Sequence, residues 1–339
     1  MVLEHLFKAK WAERRPLYSF AIGIIFTLIG FFTAKLLFRG DASFMVGIIT
    51  ILFAVLLTLP LISKLFDLEE RIETKGKTNF FKEHEEIFDF FIYYFLGVFL
   101  TLFIISLATP NVMFDFGMDS GFSAESEIIK INTQVENGPP LPPDFGFSPE
   151  HGFEFVLLNN QVQKIFFNNL YIILICFILS ILYGSGALFI ILLNASVWAA
   201  KLAGLIRPKV EEVIFQSTPY IICNVGVAFF HMIPEIAGYI LAAIAGGVLS
   251  KAISKEKLFG DKFMKVFKDS IILASLSLLL IFIAAIIEVH ISKKLFINDI
   301  CNSSQTTIII ITGVLVAAII GFEIYRNQKL RHKKIRIKK

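Results

Sequence analysis

Charge is what this sequence has little of. Asp, Glu, Lys and Arg make up 18% of its 339 residues, against 56% hydrophobic residues and a mean hydropathy of +0.73. Soluble domains carry about 25% charged residues, so a soluble globular fold is excluded. Cysteine is scarce too. Cys176, Cys223 and Cys301 are scattered, the first two inside apolar segments, and no CxxC or zinc spacing occurs. That argues against a disulfide framework and against a cysteine metal site. There is no nucleotide-binding loop, serine-nucleophile motif or cofactor fingerprint, so no cofactor is expected and an energised process would need a partner. The net charge of +4 comes largely from the C-terminal tail, so the basic balance does not argue for nucleic acid as a partner.

What the chain does have is long apolar runs, near residues 16–38, 44–63, 88–109, 168–183, 186–204, 216–250, 268–290 and 306–325. A run of about 20 apolar residues spans a bilayer as a helix, because lipid offers backbone groups no other partner. The expected fold is therefore an all-α, polytopic transmembrane bundle of eight spans with one or two broken helices. The basic N-terminus precedes a run too long for a signal-peptide core and reads as a retained first span. Lysine and arginine set the orientation. They crowd the N-terminus, residues 64–87, the connection Lys251–Lys268 and the tail Arg326–Lys339. Residues 110–167 instead carry eight acidic residues against Lys130 and Lys164. Both termini are thus expected in the cytoplasm of a cell-membrane protein, with residues 110–167 outside. The organisation expected is a three-span region 1–109, an extracytoplasmic loop 110–167, a core 168–295, and a last span with a basic tail, 296–339. Within the loop, residues 138–143 read as a stiff connector, and Phe153–Phe167 has the pattern of an interfacial amphipathic helix.

Two readings of the core remain open. Residues 168–204 form two short spans broken at Gly184-Ser185-Gly186, with 216–250 crossing once; or 168–200 is one long helix and 216–250 a hairpin broken near His231–Pro234. Lys201, Arg207 and Lys209 lean slightly towards the second.

The polar residues inside these segments are few. Asn168, Asn169, Asn194, Asn224, His231, Glu235 and Glu288 stand out. The plain expectation is interhelical hydrogen bonding worth about 0.6–2 kcal/mol each. An isolated carboxylate in lipid costs about 3 kcal/mol or more, so Glu235 and Glu288 need partners. His231, Glu235 and Glu288 are expected to form a buried polar cluster, with Asn168, Asn169 and Asn194 as hydrogen-bond partners. Gly184, Gly186, Gly204, Gly238 and Gly246 are expected at breaks or close helix contacts, and Pro234 at a helix break. Glu69 is expected on a cytoplasmic face, where its replacement would serve as a control. Glu211-Glu212 with His231 and Glu235 resembles the ligand set of an intramembrane metallo-endopeptidase, although Gln216 stands near where those enzymes place an arginine. A zinc centre usually needs three protein ligands, and no metal is expected.

With these residues in hand, the chain resembles the stage II sporulation protein M family of integral membrane proteins. The resemblance rests on Phe167-Asn168-Asn169-Leu170 with Gly184, Gly186, Leu193-Asn194 and Gly204; on His231 to Gly238 with Gly246-Gly247; and on Ala284-Ala285-Ile286-Ile287-Glu288-Val289. It covers residues 150–295, and Met232 stands where the family usually has glycine. The resemblance implies a membrane anchor that assembles separate hydrolase subunits into a peptidoglycan-degrading machine and is not itself the catalyst. The expected role is a non-enzymatic scaffold or complex subunit with membrane lipids and protein partners, self-association included. A small-molecule or ion transporter and a metal-dependent intramembrane hydrolase are the alternatives.

Overall fold

The computed structural model describes residues 16–38, 43–75, 84–109, 112, 114, 160–212 and 214–297. The elements are α1 (Pro16–Leu37), α2 (Ser43–Lys75), α3 (Glu85–Ala108), α4 (Asn160–Tyr183), α5 (Ala187–Glu212), α6 (Ile214–Lys255) and α7 (Asp261–Ile287). A π-helical turn, Glu288–Ser292, and a short helix α8, Lys293–Ile297, carry α7 on. Among the described residues seven helices are long and apolar enough to cross a membrane, the last of them composed of α7, the π-turn and α8. The protein is an all-α, multi-pass membrane bundle. The expected eighth span, 306–325, lies outside the described residues, as do Cys301 and residues 115–159.

The break at Gly184-Ser185-Gly186 is a turn between α4 and α5. Gly184 takes a positive φ of 69°, a conformation glycine adopts without Cβ strain. Residues 214–255 form one helix that continues through Pro234. The hairpin reading of 216–250 is thereby corrected, and with it the break at Pro234. Proline removes one backbone hydrogen bond, but a helix in lipid tolerates this because neighbouring groups re-satisfy the freed carbonyl; α2 likewise contains Pro60. The helix α4 starts at Asn160, so residues 160–167 belong to a span rather than to a separate interfacial helix.

The chain divides into two compact units. The first contains α1 to α4, α5 up to Arg207, α6 from Ile233, and α7 up to Ala285; the second contains Pro208–Met232 and the residues from Ile286. In the first unit α1 packs on α2 and α3. A Cβ on Gly23 of α1 would lie 2.5 Å from the Tyr94 carbonyl oxygen and 3.2 Å from Gly97 Cα of α3, so glycine is what permits the contact. Tyr94 is fully buried, stacks on Phe90 at 5.7 Å and shares a 2.6 Å hydrogen bond with Thr58 of α2. Trp198 of α5 is buried edge-on against Phe95 of α3, and Arg207 of α5 donates to the Ser106 carbonyl of α3.

Three close contacts place α6 at the centre of this unit. A Cβ on Gly246 would meet the Phe177 carbonyl of α4 at 2.5 Å, one on Gly238 would meet Ile281 Cγ2 of α7 at 2.9 Å, and Gly247 lies against the Phe66 ring of α2. At the lysine-rich end of α6, Lys251 and Lys255 reach Asp67 at 3.3 and 2.7 Å, and Lys255 reaches Glu70 at 3.5 Å. Glu69 is not on a solvated face: it is buried and lies 2.5 Å from His84 Nδ1. The physical reason is that α2 runs on to Lys75, so its charged last turns pack against the start of α3 instead of ending in water.

Candidate functional site: the polar centre of the core helices

Glu235 sits on α6 one turn before Tyr239, the i, i+4 spacing that puts two side chains on one helix face. Both are buried, and the Tyr239 hydroxyl donates to Glu235 Oε1. The same hydroxyl lies 3.0 Å from Asn169 Oδ1 on α4, also buried. A phenol has one proton to give. With that proton on Glu235, Asn169 becomes the donor if its amide is turned over, which exchanges Oδ1 for the Nδ2 that otherwise lacks a partner. The outcome is a buried Asn169–Tyr239–Glu235 chain joining α4 to α6. A carboxylate that would cost about 3 kcal/mol or more alone in lipid thereby gains a hydrogen bond inside protein.

The α7 helix is tied to the same stretch of α6 by two serines. Ser277 Oγ donates to the Gly238 carbonyl at 2.8 Å, and Ser270 Oγ to the Ala245 carbonyl at 3.1 Å. The small Gly238 lets α7 come close enough for the first of these.

The second unit has its own polar contact. His231 Nδ1 lies 3.0 Å from Ser292 Oγ, and that hydroxyl donates to the Val227 carbonyl at 3.3 Å. Since the serine proton goes to a carbonyl, the consistent tautomer has His231 donating from Nδ1 to the serine oxygen. A histidine so engaged orients a side chain and does not take a proton from the serine. Ser292 closes the π-helical turn that Glu288 opens, and both are buried. Turns of this kind insert one extra residue per turn and often mark functional positions.

The residues expected from the sequence distribute as follows. Asn169 joins Glu235 through Tyr239. Asn194 is buried but donates within its own helix, to the Ile190 carbonyl at 2.9 Å. Asn168 is half-buried on α4, and Asn224 is buried on α6. Glu235 and His231 are each tied within their own unit. Gly204 is exposed, and among the described residues nothing lies within 4 Å of the position a Cβ would take, so the close helix contact expected at Gly204 is not found there. The side chains of Glu211 and Glu212 lie outside what the structure describes. Among the described residues no group of three His, Cys, Asp or Glu side chains is placed to hold a metal ion. Cys176 is free and buried, and Cys223 is disulfide-bonded, so the scattered spacing did not keep Cys223 from pairing.

Tyr239, Ser270, Ser277 and Ser292 were missed. For Tyr239 a signal existed, because it follows Glu235 by four residues. The serines gave none, since single hydroxyls are common in spans and bond to their own helix as readily as to a neighbour.

Residues 148–293 match the family model described as Stage II sporulation protein M. This stretch takes in α4 to α7 and the π-turn, and hence both polar contacts. Neither a curated protein nor a solved structure matches the chain.

Proposed function

We propose that this chain, which over residues 148–293 belongs to the stage II sporulation protein M family, acts as a non-enzymatic scaffold or complex subunit of the membrane that recruits envelope-remodelling proteins. The observation that carries this reading is the Asn169–Tyr239–Glu235 chain. A buried carboxylate, Glu235, is held by Tyr239, and Tyr239 in turn joins α6 to Asn169 of α4, which is what a rigid platform needs. The test is in-cell crosslinking and affinity purification of the tagged protein from its native membrane, with mass spectrometry of what accompanies it. A reproducible partner that is lost on Glu235→Ala and kept on Lys294→Ala, an exposed control, is expected. A protein that purifies without a partner would remove the scaffold reading.

The topology we propose has eight spans, with 306–325 as the eighth and both termini cytoplasmic. Its support is the run of lysines at the end of α6 and the start of α7, which the positive-inside rule assigns to the cytoplasm. The opposite end of α6, where Cys223 lies, then faces outward. Disulfides persist on that oxidising side, so the bonded state of Cys223 agrees with the lysines. A membrane-impermeant reductant added to intact cells should open this disulfide and make its thiols reactive to alkylation; protection until the cells are lysed would reverse the topology.

One observation favours a transporter as the second reading. The π-turn places buried Glu288 at an irregular point of a spanning helix, and helix interruptions with polar groups serve as binding sites in transporters. Stabilisation of the purified protein by a particular ion or small solute, lost on Glu288→Gln, would favour it.

A further inference from the structure

The turn between α6 and α7 exposes the most solvent-accessible large apolar side chain among the described residues. Phe259 is 82% exposed and its neighbour Leu258 is 54% exposed. The Gly260 N–H donates to the Lys257 carbonyl at 2.9 Å, so Leu258 and Phe259 are the two central residues of a tight turn. Phe259 takes a positive φ of 62°. A bulky side chain in that region is a genuine outlier, and glycine would hold the turn with less strain. The backbone conformation therefore gives no reason for phenylalanine here.

The ring of Phe259 does not stand by itself. It packs edge-on against Phe263 at 6.0 Å, and Phe263 stacks on Phe267 at 6.1 Å. One turn further along α7 come Ile271 and Ile272, 50% and 45% exposed, on a helix apolar enough to span a membrane. An aromatic ladder, exposed at Phe267 and Phe259 and buried at Phe263 between them, thus runs from the outer surface of α7 to the tip of the turn. The helical part of the ladder, Asp261 to Phe267, rises about 9 Å at 1.5 Å per residue, and Phe259 lies beyond it at the turn. The headgroup layer is about 5–8 Å thick on each side of the hydrocarbon, so a ladder of this length that starts in the hydrocarbon reaches through it. Beside the ladder stand Lys257, Lys262 and Lys268, all exposed; Lys262 also approaches Glu256 at 3.7 Å. Aromatic rings at headgroup level and lysines attracted to anionic lipid are the two sequence-readable signs of an interfacial anchor.

We propose that the α6–α7 turn is a lipid-headgroup site, in which Leu258 and Phe259 seat in the interfacial layer and Lys257, Lys262 and Lys268 engage the phosphates of anionic lipids. The continuity of the ladder with the outer surface of α7, together with the sign of the charge, favours lipid over a soluble protein as the occupant. The site is independent of the scaffold role.

The experiment uses the full chain in nanodiscs of phosphatidylcholine, with and without phosphatidylglycerol. The emission of Phe259→Trp minus that of the parent, which carries Trp11 and Trp198 in both samples, reports on the new side chain alone. It is expected to shift to the blue, to be quenched by lipids brominated near the headgroup, and to be spared by aqueous iodide. Phosphatidylglycerol is expected to raise the melting temperature of the parent. That rise should be lost when Lys257, Lys262 and Lys268 are all replaced by glutamine. Phe259→Gly separates this from a structural role: relief of strain alone would raise the melting temperature equally in both discs, whereas loss of the lipid contact removes the increment due to phosphatidylglycerol. A tryptophan with water-like emission, quenched by iodide alike in both discs, would overturn the proposal and turn the tip towards a soluble partner. An undiminished phosphatidylglycerol increment in the triple glutamine variant would overturn it as well.

Discussion

The helices α1 to α3 and the helices α4 to α7 solve the same packing problem with different chemistry. The first three lie outside the family match and meet through a glycine-to-glycine approach at Gly23 and Gly97 and through stacked rings such as Phe90 and Tyr94. Thr27, Thr50 and Thr101 turn back on their own helices, to the carbonyls of Gly23, Val46 and Gly97, while Thr58 also meets Tyr94 between α2 and α3 at 2.6 Å. In the matched stretch several side-chain hydrogen bonds cross from helix to helix, between Tyr239 and Asn169 and from Ser277 and Ser270 to backbone carbonyls of α6. Lipid tails are as apolar as leucine, so burying apolar surface drives helices together only weakly in a bilayer, and what remains is close packing and polar contact. The N-terminal helices use mainly the former, with Thr58 and Tyr94 as a polar contact between α2 and α3; the core helices make more use of the latter. Polar contacts have direction, and they fix the rotation of one helix against another where packing alone leaves it less defined.

Substitutions can break this comparison at several strengths. The largest effect is expected at the joint between the two groups. Trp198→Ala removes a buried ring that packs on Phe95, and losing a buried tryptophan costs about 3–5 kcal/mol. Reversible unfolding in mixed micelles should show it. Next comes Gly97→Val, which drives a side chain into the backbone of α1 at Phe20; overpacking of this sort costs about 1–3 kcal/mol. A cysteine pair placed across α1 and α3 should crosslink more slowly in that variant, while a pair across α4 and α6 should crosslink as before.

Tyr239→Phe is the matching cut in the core. It leaves Glu235 and Asn169 buried without the hydroxyl that joins them, and a stranded buried polar group costs about 1–3 kcal/mol. Crosslinking across α4 and α6 should now be the affected readout. The smallest effect belongs to Ser277→Ala, at about 0.6 kcal/mol, the average for an interhelical hydrogen bond in lipid. Lys294→Ala should leave the unfolding curve in place, and a shift as large as that of Ser277→Ala would mean that the assay does not resolve single contacts.

Much of the fold could be read from the chain. Apolar runs located the described helices because the bilayer imposes a minimum length, and the turn at Gly184–Gly186 stood out because two glycines interrupt an otherwise apolar run. Pro234 misled, since the rule that proline ends a helix is calibrated on helices in water. Glu69 misled for a related reason: charge was equated with exposure, although a helix that runs past the apolar run carries its charges into a packed layer, where His84 meets Glu69. The polar centre was half visible. Glu235 and Asn169 attracted notice because polar groups are costly in lipid, but the residue that joins them is a tyrosine, which spans carry without cost at their ends and which no composition rule singles out. Asn194 shows the reverse, a buried amide whose bond stays inside α5.

That the polar groups of the matched helices join α4 to α6 is tested most directly by a double-mutant cycle. Tyr239→Phe, Asn169→Ala and the double variant are unfolded from mixed micelles alongside the parent. The account predicts a coupling energy of about 1 kcal/mol between the two positions, within the range found for residues in direct contact. Strictly additive losses would contradict it, since they would leave Tyr239 and Asn169 as neighbours that contribute separately rather than as a joint between α4 and α6.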